Sequence, residues 1–151
     1  GILDKPYNFL TQPFAAKIVI ILALLWRWTG YNMVFFLSGL QNIEYSVYEA
    51  AKIDGASAIQ TFFKITVPLL KPTILLTAIM STNGTLQLFD ESVNLTDGGP
   101  ANASISMSHY IYNLCFKYVP NFGYAAAMSF FILLLVAVLA FIQMRVGDKR
   151  D

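Results

Sequence analysis

Glu49-Ala50-Ala51-Lys52-Ile53-Asp54-Gly55-Ala56, running on to Ile65-Thr66-Val67-Pro68, is the stretch on which the reading of this chain turns. Residues 44–53 have helix-forming composition, with Tyr45, Tyr48 and Ala51 along one side. Ala50 and Ala51 are small enough to let another protein's surface come close to the backbone. Gly55 allows a turn that a side chain would oppose. Ser57 is placed to N-cap a second helix over 58–66, anchored by Phe62, Phe63 and Ile65. Pro68 lacks an amide hydrogen and favours ending that helix, so the next span starts at an angle. The product is a charged helix–turn–helix elbow, residues 44–68, between two long apolar stretches. An element of that kind makes sense there only if something outside the membrane grips it.

The surroundings are oily. Of 151 residues, 56% are hydrophobic and 13% charged, against about 25% charged in ordinary soluble domains. A chain this small cannot hide so much apolar surface within itself, so a lipid bilayer is its natural solvent. Three spans separate, at about 17–40, 69–89 and 124–144. At about 1.5 Å per residue, each can cross a ~30 Å hydrocarbon layer. The first carries Arg27 near mid-depth, where lipid exposure costs on the order of 2.5–3.5 kcal/mol, so the guanidinium is expected to face protein or water. The second holds Ser81, Thr82, Asn83, Gly84, Thr85 and Gln87 in its latter half. These polar groups either bond to neighbouring helices or line a hydrophilic cavity, because unpartnered groups in lipid are costly. The third is uncharged, with Ala125-Ala126-Ala127 and Ser129 for close helix contact. The expected fold class is an all-α membrane protein with three transmembrane helices and a helix–turn–helix loop.

Charge sets the orientation. Lys52, Lys64 and Lys71 mark the first loop, and Arg145, Lys149 and Arg150 the tail. The 90–123 connection carries only Lys117 against Asp90, Glu91 and Asp97. Three spans put the first loop and the tail on one side, and both are basic, so both are expected in the cytoplasm. The ten Lys and Arg form no basic stripe, which excludes a nucleic-acid role. Cys115 is the one cysteine and His109 the one histidine, too few for a disulfide or a Cys-based metal cage. Within the 90–123 connection, Thr96-Asp97-Gly98-Gly99-Pro100 signals a turn, and 104–118 a short helix. Residues 1–16 read as a loop with an interfacial turn around Tyr7 and Phe9, and Gly1 in place of methionine suggests missing upstream sequence.

The elbow resembles the EAA loop of permease subunits in bacterial binding-protein-dependent ABC importers. That signature is Glu-Ala-Ala, three residues, Gly, nine residues, then Ile-x-Leu-Pro. Here Glu49-Ala50-Ala51, Gly55 and Ile65-Thr66-Val67-Pro68 keep the spacing, with Val67 in place of leucine. Gly39-Leu40-Gln41-Asn42-Ile43, Phe62-Phe63-Lys64, Leu95-Thr96-Asp97-Gly98-Gly99-Pro100 and Gly123-Tyr124-Ala125 are similar to the carbohydrate branch. Glu44 stands where the family usually has proline. The resemblance covers most of the chain and is to the C-terminal half of a maltose-type or multiple-sugar-type permease, the last three spans of a six-helix core.

The resemblance implies a multi-pass subunit of the bacterial inner membrane that translocates a sugar or related solute and hydrolyses nothing itself. ATP and Mg would be bound by a separate cytoplasmic ABC ATPase dimer. The other implied partners are a second permease subunit and a periplasmic or extracellular solute-binding protein. Glu49, Ala50, Ala51, Asp54, Gly55, Ala56 and Pro68 would couple to the ATPase. The sugar path would follow Trp26, Thr29, Gly30 and Met33 on the first span, which share one helical face. Ser81, Gly84 and Thr85 would continue it on the second, with Trp28, Asn83 and Gln87 the rival face. An integral membrane enzyme or a channel fragment is the alternative; the first needs an interfacial acid–base or metal cluster, the second has no need of an elbow.

Overall fold

The computed structural model describes residues 8–147. Tyr7, part of the expected interfacial turn, and Lys149 and Arg150 of the basic tail lie outside them. The chain is helical throughout its ordered elements, with no strand among the described residues. Helix α1 spans Pro13–Gln41. It starts earlier than hydropathy indicates because Pro13 suits a first helical turn, where its missing N–H leaves no bond unmade. Helix α2 is Tyr45–Ile53 and α3 is Ala58–Leu69, after which the chain bends by 64° into α4, Lys71–Leu86. Helix α5, Met107–Tyr112, runs into a π-helical turn at Asn113–Lys117, and α6 is Phe122–Gly147.

Helices α1 and α6 are each long and apolar enough to cross a membrane, and α3 with α4 counts as a third crossing if the bent pair is one span. The second span is therefore shorter than the sequence indicates. Its straight part has 16 residues, about 24 Å of rise, and stops at Leu86 rather than 89. Pro68 does not end the preceding helix either: α3 runs through it, and the break falls at Leu70. The missing Pro68 N–H is tolerated because a π-helical turn, Phe62–Thr66, precedes it and Pro68 opens a fresh turn. The expected angle is present, two residues further on.

Helix α4 lies between α1 and α6 and uses its polar half to hold both. At the elbow end Gly39 sits against Thr73 and Leu70. Further along, Asn32 Nδ2 donates to Ser81 Oγ at 3.0 Å, and Ser81 Oγ donates back to Asn32 Oδ1 at 3.2 Å. Trp28 then lies across Gly84 so closely that a Cβ there would enter the indole ring. On the other side Gln143 Nε2 of α6 donates to Thr82 Oγ1 at 2.8 Å. Thr77 and Ser129 satisfy their hydroxyls on their own helices, at Thr73 and Ala125 carbonyls, each 2.9 Å away.

Arg27 finds its partner where α4 has already ended. Its Nη1 is 2.8 Å from Glu91 Oε1 and 3.8 Å from Asp90 Oδ2, and its guanidinium centre lies 5.6 Å from the Trp28 ring. Glu91 is buried, so the pair shields a carboxylate as much as a cation. Glu91→Ala leaves Arg27 without that charge-assisted bond and should lower stability by roughly 1.5–3 kcal/mol. The Arg27→Met, Glu91→Met double variant should recover most of the loss, read as thermal unfolding in detergent. A double variant no more stable than Glu91→Ala would show that the pair does not carry the effect.

Candidate functional site: the elbow and the α1 face

At the elbow the sequence builds a helix stop of defined form. The Ala56 N–H reaches the Ala51 carbonyl at 3.0 Å, and the Gly55 N–H reaches the Lys52 carbonyl at 3.1 Å. That pair of bonds is a Schellman motif, which requires a left-handed residue at its glycine position. Gly55 has φ +73 and open space around it. Ser57 is the N-cap the sequence indicates: its Oγ accepts from the Gln60 N–H at 3.3 Å, and Gln60 Oε1 accepts from the Ser57 N–H at 2.9 Å.

The elbow residues divide by face. Glu49, Ala50, Asp54 and Gly55 are exposed, Ala56 is half-buried, and Ala51 is buried against the chain's own structure. Ala51 therefore packs the elbow, and the outward surface is Glu49, Ala50, Lys52, Ile53 and Asp54. Pro68 is exposed on α3 before the 64° bend. Glu44 is the N-cap of α2 without a capping side-chain bond; Ser46 Oγ instead donates to Glu44 Oε2 at 3.3 Å.

The two proposed halves of the sugar path do not meet among the described residues. Trp26, Thr29, Gly30 and Met33, with Leu22 and Leu25, line one open hollow of about 530 Å³ along α1. Ser81 and Gly84 face a different side of α1, through Asn32 and Trp28. Thr85 is exposed, as is Asn83, whose Oδ1 accepts from Gln87 Nε2 at 2.8 Å. Gln87 instead joins Ser108, Ile111, Ser129, Ile132 and Leu133 around a second hollow of about 370 Å³. Sequence separation hides that grouping, since the residues come from three elements.

The 90–118 connection folds on a histidine that the sequence presents as solitary. His109 and Ser92 are fully buried. Ser92 Oγ donates to the Ser104 carbonyl at 2.8 Å and lies 2.9 Å from His109 Nδ1. With its proton committed to Ser104, the hydroxyl accepts from Nδ1–H, leaving Nε2 as a bare acceptor 3.7 Å from Asp97 Oδ1. Asp97 is paired with Lys117 Nζ at 2.7 Å. That hydrogen bond holds the Asp97 carboxyl below the usual carboxylate range and pushes the Lys117 ammonium up. Burial pushes His109 down, against a smaller opposing pull from Asp97. Serine, histidine and aspartate here make a structural knot, because the serine is sealed away from any substrate.

The family described as binding-protein-dependent transport system inner membrane component matches residues 7–150. A lactose transport system permease protein of Rhizobium radiobacter is 55% identical over 152 residues, covering 99% of this chain and 51% of that protein. A multiple sugar-binding transport system permease protein of Streptococcus mutans is 37% identical, covering 99% of this chain and 51% of that protein. A putative ABC transporter permease protein of Caldicellulosiruptor is 36% identical over 127 residues, 83% of this chain and 91% of that protein. The chain spans about half the length of the first two relatives.

The histidine knot predicts a pH dependence of definite sign. The folded connection favours neutral His109, so its contribution is complete above the ordinary histidine value of about 6.5. It is lost as pH falls through that value toward the lower folded one. Amide hydrogen exchange across residues 92–109, corrected for intrinsic rate, should quicken between about pH 7.5 and 5.5. His109→Asn can replace the Nδ1–H donor without titrating, and should flatten the profile. The same pH response in that variant would assign it elsewhere.

Proposed function

Since this chain belongs to the family of binding-protein-dependent transport system inner membrane components, we propose that it is the elbow-bearing half of a sugar permease. It would be driven by a separate ATPase. The observation that carries this reading is the exposed Glu49–Ala50 surface on α2, set by the Gly55 turn and joined to a membrane crossing through a 64° bend. Such an elbow offers a grip to a cytoplasmic partner and a lever into the bilayer. The basic residues Lys52, Lys64 and Lys71, with Arg145 at the other end, support a cytoplasmic elbow and tail.

In the proposed cycle the ATPase dimer receives α2 in a cleft, and Glu49 pairs with a basic residue there. ATP and Mg are bound by that partner. Closing of the dimer on ATP tilts α2 and α3, and the bend passes the motion to α4 and α1. A second permease subunit completes the path, and a solute-binding protein delivers sugar at the opposite face, near the 90–118 connection. The substrate proposed is a sugar, and lactose is the first to test, because the lactose permease relative is 55% identical.

For the path itself we favour the α1 hollow lined by Trp26, Thr29, Gly30 and Met33. An indole suits the apolar face of a sugar ring and a hydroxyl its edge. Ser81 and Gly84 are assigned to setting α4 against α1, and Thr85 stays a candidate by its exposure.

In the complete assembled transporter, Glu49→Ala and Gly55→Val should each cut lactose uptake about tenfold or more, with membrane levels retained on immunoblot. Full uptake by both would remove the coupling role. Thr29→Val should change the ratio of lactose to maltose uptake by several-fold, and an unchanged ratio would move the path to the Gln87 hollow.

A further inference from the structure

Helix α2 meets the rest of the elbow along an inner face opposite its exposed one. Tyr48 and Ala51, three residues apart, share that face; Tyr48 is half-buried and Ala51 buried. The Tyr48 hydroxyl lies 3.3 Å from Thr66 Oγ1, across 18 positions of sequence. Thr66 is itself buried.

The backbone around Thr66 has a form suited to that contact. Residues Phe62–Thr66 make a π-helical turn, in which the Val67 N–H reaches back to the Phe62 carbonyl. One inserted residue rotates the following helix face by about 100° relative to an unbroken α-helix. Phe62, Phe63 and Lys64 are left exposed while Thr66 turns inward. Thr66 Oγ1 also donates to the Thr61 carbonyl at 3.5 Å, which leaves its lone pairs to accept from the Tyr48 hydroxyl. The Thr66 carbonyl in turn accepts from the Leu70 N–H at 3.0 Å. Leu70 is the residue at the bend, buried and packed against the Gly39 position of α1.

Tyr48 is the neighbour of Glu49, and Thr66 is one bond from the bend. We propose that the Tyr48–Thr66 hydrogen bond is the strut that makes α2 and α3 move as one body, so that Tyr48 and Thr66 are positioning residues for the coupling step. The proposal rests on the permease reading above and adds how force applied at Glu49 reaches the membrane. Without the strut, α2 can shift on its own turn at Gly55, and a push from outside is absorbed in the elbow.

The test uses the full transporter, ATPase and partner permease included, in proteoliposomes with its solute-binding protein and radiolabelled lactose. The quantity read is lactose accumulated per ATP hydrolysed. Tyr48→Phe and Thr66→Val each remove a hydroxyl with little change of shape, and each should lower that ratio about threefold or more while ATPase assembly and nucleotide turnover persist. The double variant should be no worse than the worse single one, since both remove the same contact. Thr66→Ser keeps the hydroxyl and should restore the ratio, an outcome that loss of packing alone would not give. Wild-type ratios in both single variants, or independent multiplying losses in the double variant, overturn the strut and leave the permease reading intact. A wild-type complex whose ATP hydrolysis responds to no sugar-loaded binding protein overturns both.

Discussion

A polar group carried into the bilayer is costly without a partner, and the pairing of such groups joins α4 to both of its neighbours in this chain. The seam between α1 and α4 is the clearest case. Asn32 and Ser81 exchange donor and acceptor, so neither amide nor hydroxyl faces lipid on that side. Arg27, at the middle of a 29-residue helix, reaches Glu91 because α4 stops at Leu86 and lets the chain turn back toward it. A longer α4 would carry Glu91 further along the membrane normal, at about 1.5 Å per residue. The short second span and the mid-helix arginine are thus two sides of one arrangement.

The elbow is governed by a different constraint, the need to change direction twice without unsatisfied backbone groups. The first change is made by a glycine-bearing Schellman turn and a capping box that together account for the ends of α2 and α3. The second is made without breaking the helical path for long: a π-helical turn, one turn opened by Pro68, then the bend at Leu70. A stiff two-helix unit on a bent stem is better suited to passing on a displacement than a loop of the same length. The exposed residues on it are those with least packing to lose on contact with another surface.

Local chemistry is legible in the sequence; pairing is not. The Gly55 turn and the Ser57 cap follow from residue type and position, because each rests on backbone conformation within a few residues. Long apolar runs give α1 and α6 within a few positions at either end. Rotation about a helix axis cannot be read in the same way. Ser81, Gly84 and Thr85 do share a face of α4, yet nothing local says whether that face meets water, Asn32 or Trp28. A residue on a helix is turned by about 100° from its neighbour, so the partner is decided by the packing of a second helix. His109 is the same problem in the 90–118 connection, where Ser92 and Asp97 reach it only through the fold. The place of the bend is hidden for a local reason: Pro68 reads as a stop, but a proline in the first turn after a π-helical segment leaves no donor wanting.

The two faces of α1 give the proposed mechanism its geometry. One face is held to α4 at Gly39, Asn32 and Trp28, a row of contacts covering about three helical turns, and Arg27 continues it past the end of α4 to Glu91. The other carries the hollow with Trp26 and Met33, both strongly exposed. Because the row is polar or closely packed along its length, α1 and α4 are more readily displaced together than slid past each other. A tilt delivered at Leu70 would therefore turn the Trp26 face along with the seam, without any contact between the elbow and the hollow. On the proposed reading, what a motor changes at the cytoplasmic end is the direction in which the sugar-facing side of α1 looks.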